Sequence, residues 1–75
     1  MIKTKRFKLN VYEDRIIRVL RMYYDLMTVN EIADESGIHW KTTDRYLARL
    51  LKKKLVTREK NDKKVYWQAV RPDNN

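Results

Sequence analysis

The hydrophobic pattern changes period once along this chain. Up to about residue 54 apolar residues recur at helical spacing, and after Leu55 they alternate. The first helical stretch opens on Asn10-Val-Tyr-Glu13, the form of a capping box. There the Asn10 side chain takes the N–H of Glu13, and the Glu13 side chain reaches back to the N–H of Asn10. From that cap Tyr12, Ile16, Ile17, Val19, Leu20, Tyr23, Tyr24, Leu26 and Met27 share one side of a helix turning about 100° per residue, so the spacing predicts a helix to about Met27. Their arc covers about 180°, against the roughly 100° stripe that an ordinary surface helix buries. The surplus points either to a second buried contact, such as a dimer interface on this helix, or to a small core over-supplied with aromatics.

A second capping box, Thr28-Val-Asn-Glu31, opens the next helix, and Val29, Ile32 and Ala33 give it a core-facing stripe. Gly37 is the only glycine. It offers the one inexpensive positive φ in the chain, so this helix ends near Ser36. The third helix is expected from Trp40 to Lys53. Its apolar side holds Thr43 (by its methyl), Tyr46, Leu47, Leu50 and Leu51, opposed to Lys41, Thr42, Arg45, Arg49, Lys52 and Lys53. Asp44 projects beside the basic side, not from its middle. Beyond Leu55 the period of two predicts strands near Leu55–Glu59 and Lys64–Ala69, turning around Asn61 and Asp62. Val65, Trp67 and Ala69 share the face assigned to the core, and Lys60, Lys63 and Lys64 make the tip basic. The expected organisation is a basic arm over 1–10, one folded domain over 11–70, and a flexible tail over 71–75 that Pro72 separates from the strand.

Composition narrows the function classes. Seventy-five residues make one small domain with a limited core. With no cysteine and a single histidine, disulfides and thiolate or imidazole metal clusters are excluded. No metal or other cofactor is expected, and oligomerisation is the remaining means of adding stability. No apolar run approaches the roughly 18 residues that span a bilayer, so a soluble, cytoplasmic protein is expected. The net charge of +8 is segregated: +4 on residues 1–10 and +5 on 39–54, against −3 on 28–38. That distribution suits a polyanionic partner. No nucleophile–His–acid trio and no glycine-rich phosphate loop is present, so no enzyme is expected.

The order capped helix, glycine turn, basic helix and hairpin resembles the winged helix-turn-helix family. The resemblance runs from Thr28 to Ala69 through Glu31-Ile32-Ala33, Gly37-Ile38, Leu47, Leu50 and Leu55-Val56. It implies an α+β fold of three helices followed by a two-stranded wing, of the small regulator kind found in archaea and their viruses. It also implies double-stranded DNA binding by a dimeric transcription regulator, with the third helix in the major groove and the wing tip on the backbone or minor groove. Carried over position by position, Lys41, Thr42 and Arg45 become base readers. His39 and Trp40 become phosphate or sugar contacts, Arg49 a phosphate contact, and Lys60, Lys63 and Lys64 the wing contacts. Lys52 and Lys53 are expected to face solvent. Three positions depart from the family: His39 replaces a Ser or Thr cap, Lys54 replaces the glycine at the helix exit, and Asp44 replaces a neutral or basic residue. Winged helices also serve as protein-interaction modules, and the exposed aromatics suit RNA or non-specific nucleic-acid binding, so both remain as alternatives.

Overall fold

A computed structural model describes residues 9–23 and 25–70. The arm residues Lys3, Lys5, Arg6 and Lys8, and the tail 71–75, lie outside the described residues. Helices α1 (Val11–Met22), α2 (Val29–Ser36) and α3 (Trp40–Lys52) precede strands β1 (Val56–Asn61) and β2 (Lys64–Ala69). The strands pair antiparallel, from Val56 opposite Ala69 to Asn61 opposite Lys64. This is a winged helix-turn-helix.

Both capping boxes form. The Asn10 side chain accepts from the Glu13 N–H at 2.8 Å and the Thr28 hydroxyl accepts from the Glu31 N–H at 3.2 Å, with each glutamate returning the bond. Gly37 ends α2 at φ 71°, and its N–H donates to the Ala33 carbonyl at 2.8 Å. The core is a single cluster in which Ile16 and Leu20 of α1 meet Ile32 of α2, Leu47 and Leu50 of α3, and Val56 and Trp67 of the hairpin. Trp67 and Ala69 are buried and Val65 is half-buried, as their shared face predicts. The cross-strand partner of Trp67 is Arg58, whose guanidinium lies 6.0 Å from the indole ring.

The first helix is shorter than its pattern suggests. It stops at Met22, Tyr23 takes extended backbone (φ −106°, ψ 130°), and Met27 pairs with Trp67 as an isolated bridge. The Met27 N–H donates to the Trp67 carbonyl at 3.1 Å, and the Trp67 N–H donates back at 2.7 Å. A helix continued through Met27 would leave those two groups of β2 unpaired in the interior, a cost of about 1–3 kcal/mol for each buried orphan. Tyr23, Leu26 and Met27 thus repeat at helical spacing while belonging to a connection. The Tyr23 hydroxyl donates to the Glu35 carboxylate at 2.9 Å, and that bond together with the glutamate's charge holds the phenol pKa above its ordinary value.

The third helix also ends differently, one residue early. Lys54 adopts φ 63°. Its N–H donates to the Leu51 carbonyl and the Leu55 N–H to the Leu50 carbonyl, at 2.9 and 3.0 Å, which is a Schellman closure. The left-handed turn favoured by glycine is therefore made by a lysine. Leu55 belongs to this closure, so β1 begins one residue later than expected and runs on to Asn61.

Candidate nucleic-acid interface

The outward side of α3 is built by what its inward side must bury. Thr43, Leu47 and Leu50 are fully buried, which turns Lys41, Arg45, Arg49 and Lys52 outward. The start of the helix is fixed by two side-chain bonds. His39 serves as N-cap, its Nδ1 accepting from the Lys41 N–H at 3.2 Å. An accepting Nδ1 carries no proton, so the ring proton sits on Nε2 and is free to donate outward. The Thr43 hydroxyl donates to the His39 carbonyl at 3.0 Å.

His39, Trp40 and Lys41 form one exposed cluster at that end. The imidazole and indole rings are stacked with centroids 6.1 Å apart, and the Lys41 ammonium lies 5.8 Å from the Trp40 ring. Trp40 is 50% exposed and stands apart from the core. With Thr28, Asn30 and Asp44 it lines an open hollow of about 460 Å³, and Lys64 of β2 lines the far side. The structure thus brings one wing lysine beside the start of α3. Lys60 and Lys63 stand at the hairpin tip, where a second hollow is lined by wing residues alone. Asp62 makes that tight turn at φ 60°.

Thr42 is half-buried and Arg45 exposed. Arg49 is held to one side: its guanidinium lies 5.4 Å from the Tyr46 ring, and Tyr46 stacks on Tyr12 of α1 at 5.6 Å with an interplanar angle of 22°. Such a cation–aromatic pile orients the arginine before any ligand arrives. Lys53 differs from expectation. It is not a solvated lysine but the partner of Glu13, which is only 2% exposed; the ammonium lies 3.2 Å from its carboxylate. Sequence reading missed this pair, the Tyr12–Tyr46 stack, and the place of Thr28 and Asn30 in the hollow. Tyr12 and Tyr46 each keep the helical period of their own helix, but a period carries no signal for which residues of different elements meet.

Charge is divided between helices. The exposed side of α2 presents Glu31, Asp34 and Glu35, while α3 presents cations. Among the described residues no group of His, Asp or Glu is arranged to hold a metal ion, and no helix is long and apolar enough to cross a membrane.

Solved structures share this arrangement. The zebrafish PKZ Zα domain, without ligand, is 32% identical, with a TM-score of 0.72 over 79% of this chain and 91% of that one. The Zα domain of Carassius auratus PKZ, solved in complex with Z-DNA, is 27% identical, with a TM-score of 0.69 over 79% and 92%. The homodimeric winged helix-turn-helix DNA-binding domain of a Mycobacterium bovis protein is 22% identical, with a TM-score of 0.70, and shares the fold over 80% of this chain and 54% of that one. No curated protein sequence matches the chain. The family model described as sugar-specific transcriptional regulator TrmB matches residues 5–73, nearly the whole sequence, and the chain belongs to that family of winged-helix regulators.

Proposed function

We propose that the chain binds double-stranded DNA sequence-specifically as a dimeric transcription regulator working in the cytoplasm. In this reading α3 lies in the major groove and the wing tip lies on the backbone or minor groove. The observation that carries it is the opposition of faces on α3, where the burial of Thr43, Leu47 and Leu50 leaves Lys41 and Arg45 projecting from the half that enters a groove. Lys41 and Arg45 suit guanine O6 and N7, and the Thr42 methyl suits a thymine methyl. His39 Nε2 and the Trp40 indole suit phosphate or sugar at the helix start, and Arg49 suits a phosphate further along. Lys60, Lys63 and Lys64 add attraction that carries no sequence information. Dimerisation through α1 draws on Val11 and Met22, which are about 70% and 69% exposed at its two ends.

Titration of the protein against a selected site, random duplex and RNA at two salt concentrations tests this. A large ratio of selected to random affinity, with a steep fall as salt rises, is the expected result. Equal affinity for all three overturns sequence-specific reading, and no binding to DNA at low salt favours a protein-interaction module. The 32% and 27% identity to Zα domains, one of them solved on Z-DNA, supports a second reading in which the duplex is left-handed. Circular dichroism of an alternating cytosine–guanine duplex decides it, since a Z-binder inverts the spectrum on addition and a B-form reader leaves it unchanged.

A further inference from the structure

The one acidic side chain of α3 lacks a partner where the helix surface is otherwise cationic. Residues 39–54 hold six basic residues and the single acid Asp44. Asp44 is exposed, and among the described residues its carboxylate makes no hydrogen bond and no ion pair. Helix geometry explains this. Its neighbours four residues away are Trp40 and Ala48, and three residues on lies Leu47, so the usual i±4 cation is absent. Lys41, three residues back, carries its ammonium near the Trp40 ring. Arg45 projects about 100° round the helix. The carboxylate instead lines the open hollow between the start of α3 and β2, together with Trp40, Asn30 and Lys64.

A bare carboxylate on a surface that meets phosphates weakens every encounter, since charges closer than the roughly 8 Å Debye length at physiological salt are only partly screened. It helps only where it finds a donor. Major-groove base edges present few. Guanine offers two acceptors, thymine an acceptor and a methyl, and adenine a donor beside an acceptor that repels the carboxylate; cytosine offers its N4 amino group alone. We propose that Asp44 reads a cytosine, its carboxylate accepting from N4 while rejecting guanine and thymine at the same position. The inference rests on the proposed placement of α3 in the major groove, and it gives this departure from the family pattern a positive role in site selection.

Selection from a random duplex pool with the wild-type chain, Asp44→Ala and Asp44→Asn provides the test. Wild type is expected to enrich cytosine at one position, where exchange for thymine lowers affinity about 5- to 150-fold. Asp44→Ala should lose that preference, to less than about twofold, and keep the rest of the site. Asp44→Asn should move the preference to adenine, because an amide pairs with N6 and N7 together. Thermal unfolding of both variants should match wild type, since the carboxylate holds nothing in the fold. The same enriched sequence from all three proteins, or adenine already preferred by wild type, overturns the assignment to cytosine. A pool in which wild type enriches nothing overturns the sequence-specific reading itself, which is a distinct result.

Discussion

Two residues hold positive φ at helix exits and reach it from opposite sides. Gly37 at 71° has open space where a Cβ would stand, so its requirement is conformational and not steric. Gly37→Ala should lower stability by about 1 kcal/mol, the cost of a left-handed L-residue. Lys54 at 63° already bears that cost. Lys54→Gly should therefore gain about 0.5–1 kcal/mol and raise the unfolding midpoint by several degrees. Thermal denaturation of the two variants checks both signs, and a destabilised Lys54→Gly would mean that the lysine side chain contributes something beyond its backbone. Glu13 gives a second residue-scale prediction. Its buried carboxylate serves the Asn10 N–H and the Lys53 ammonium together. Lys53→Ala leaves it half-served and should cost about 1–2 kcal/mol, between the values for exposed and fully buried pairs because the Lys53 side chain is 29% exposed. DNA affinity per folded molecule should not change. Lys52→Ala, by contrast, should leave stability within about 0.5 kcal/mol.

At the scale of elements, what could be read from the sequence is what has a local cause. The capping boxes at Asn10 and Thr28 and the stop at Gly37 are settled within a few residues. The buried face of Val65, Trp67 and Ala69 follows from a period of two. The true end of α1 is not local, because Tyr23 to Met27 keep an apolar spacing fit for a helix while Met27 is drawn off to pair with Trp67, far along the chain. The same holds for Glu13 and Lys53, which stand 40 residues apart in sequence. For α3 the outward stripe was legible, but the sideways hold on Arg49 was not, because it depends on Tyr12 from another helix. Arg45 is exposed on that stripe and Lys63 is in the hairpin turn, so their losses should differ in kind. Arg45→Ala should reduce discrimination between sites by about 1–3 kcal/mol, whereas Lys63→Ala should weaken all duplexes alike and lower the salt slope by about one. Competition binding against matched and mismatched duplexes separates the two, and an equal loss on every sequence for Arg45→Ala would remove it from the base readers.

For the whole molecule, the open matter is assembly. Shortening α1 to Met22 removes Tyr23, Leu26 and Met27 from the arc that suggested a second buried face, and Met27 is buried against the hairpin instead. The large apolar side chains exposed on α1 are Tyr12 from that arc and Val11 and Met22 from outside it, with Tyr23 and Leu26 just beyond the helix. Sedimentation equilibrium at high micromolar concentration should report a dimer that Met22→Lys dissociates; a monomer there would remove the role proposed for α1. Two copies would then set two α3 helices about one helical turn of DNA apart and require a pseudo-palindromic site. The opposed charges of α2 and α3 also give each copy a polarity, with its cationic side leading toward a polyanion.

The bridge between Met27 and Trp67 bears on how binding starts. It ties β2 to the connection between α1 and α2, and the Val70 N–H donates to the Leu55 carbonyl at 3.0 Å, closing the hairpin at its base beside the α3 exit. These bonds fix the base of the hairpin against the helices, as the hinge end of a caliper is fixed. If the wing docks on DNA as proposed, a hairpin tied at its base loses less ordering entropy on binding than a loose one would, and more of each new contact is left to appear as affinity. In that docking, a duplex whose groove spacing misfits the helix–wing gap would have to deform, and sequences that deform easily would gain an advantage at positions no side chain touches.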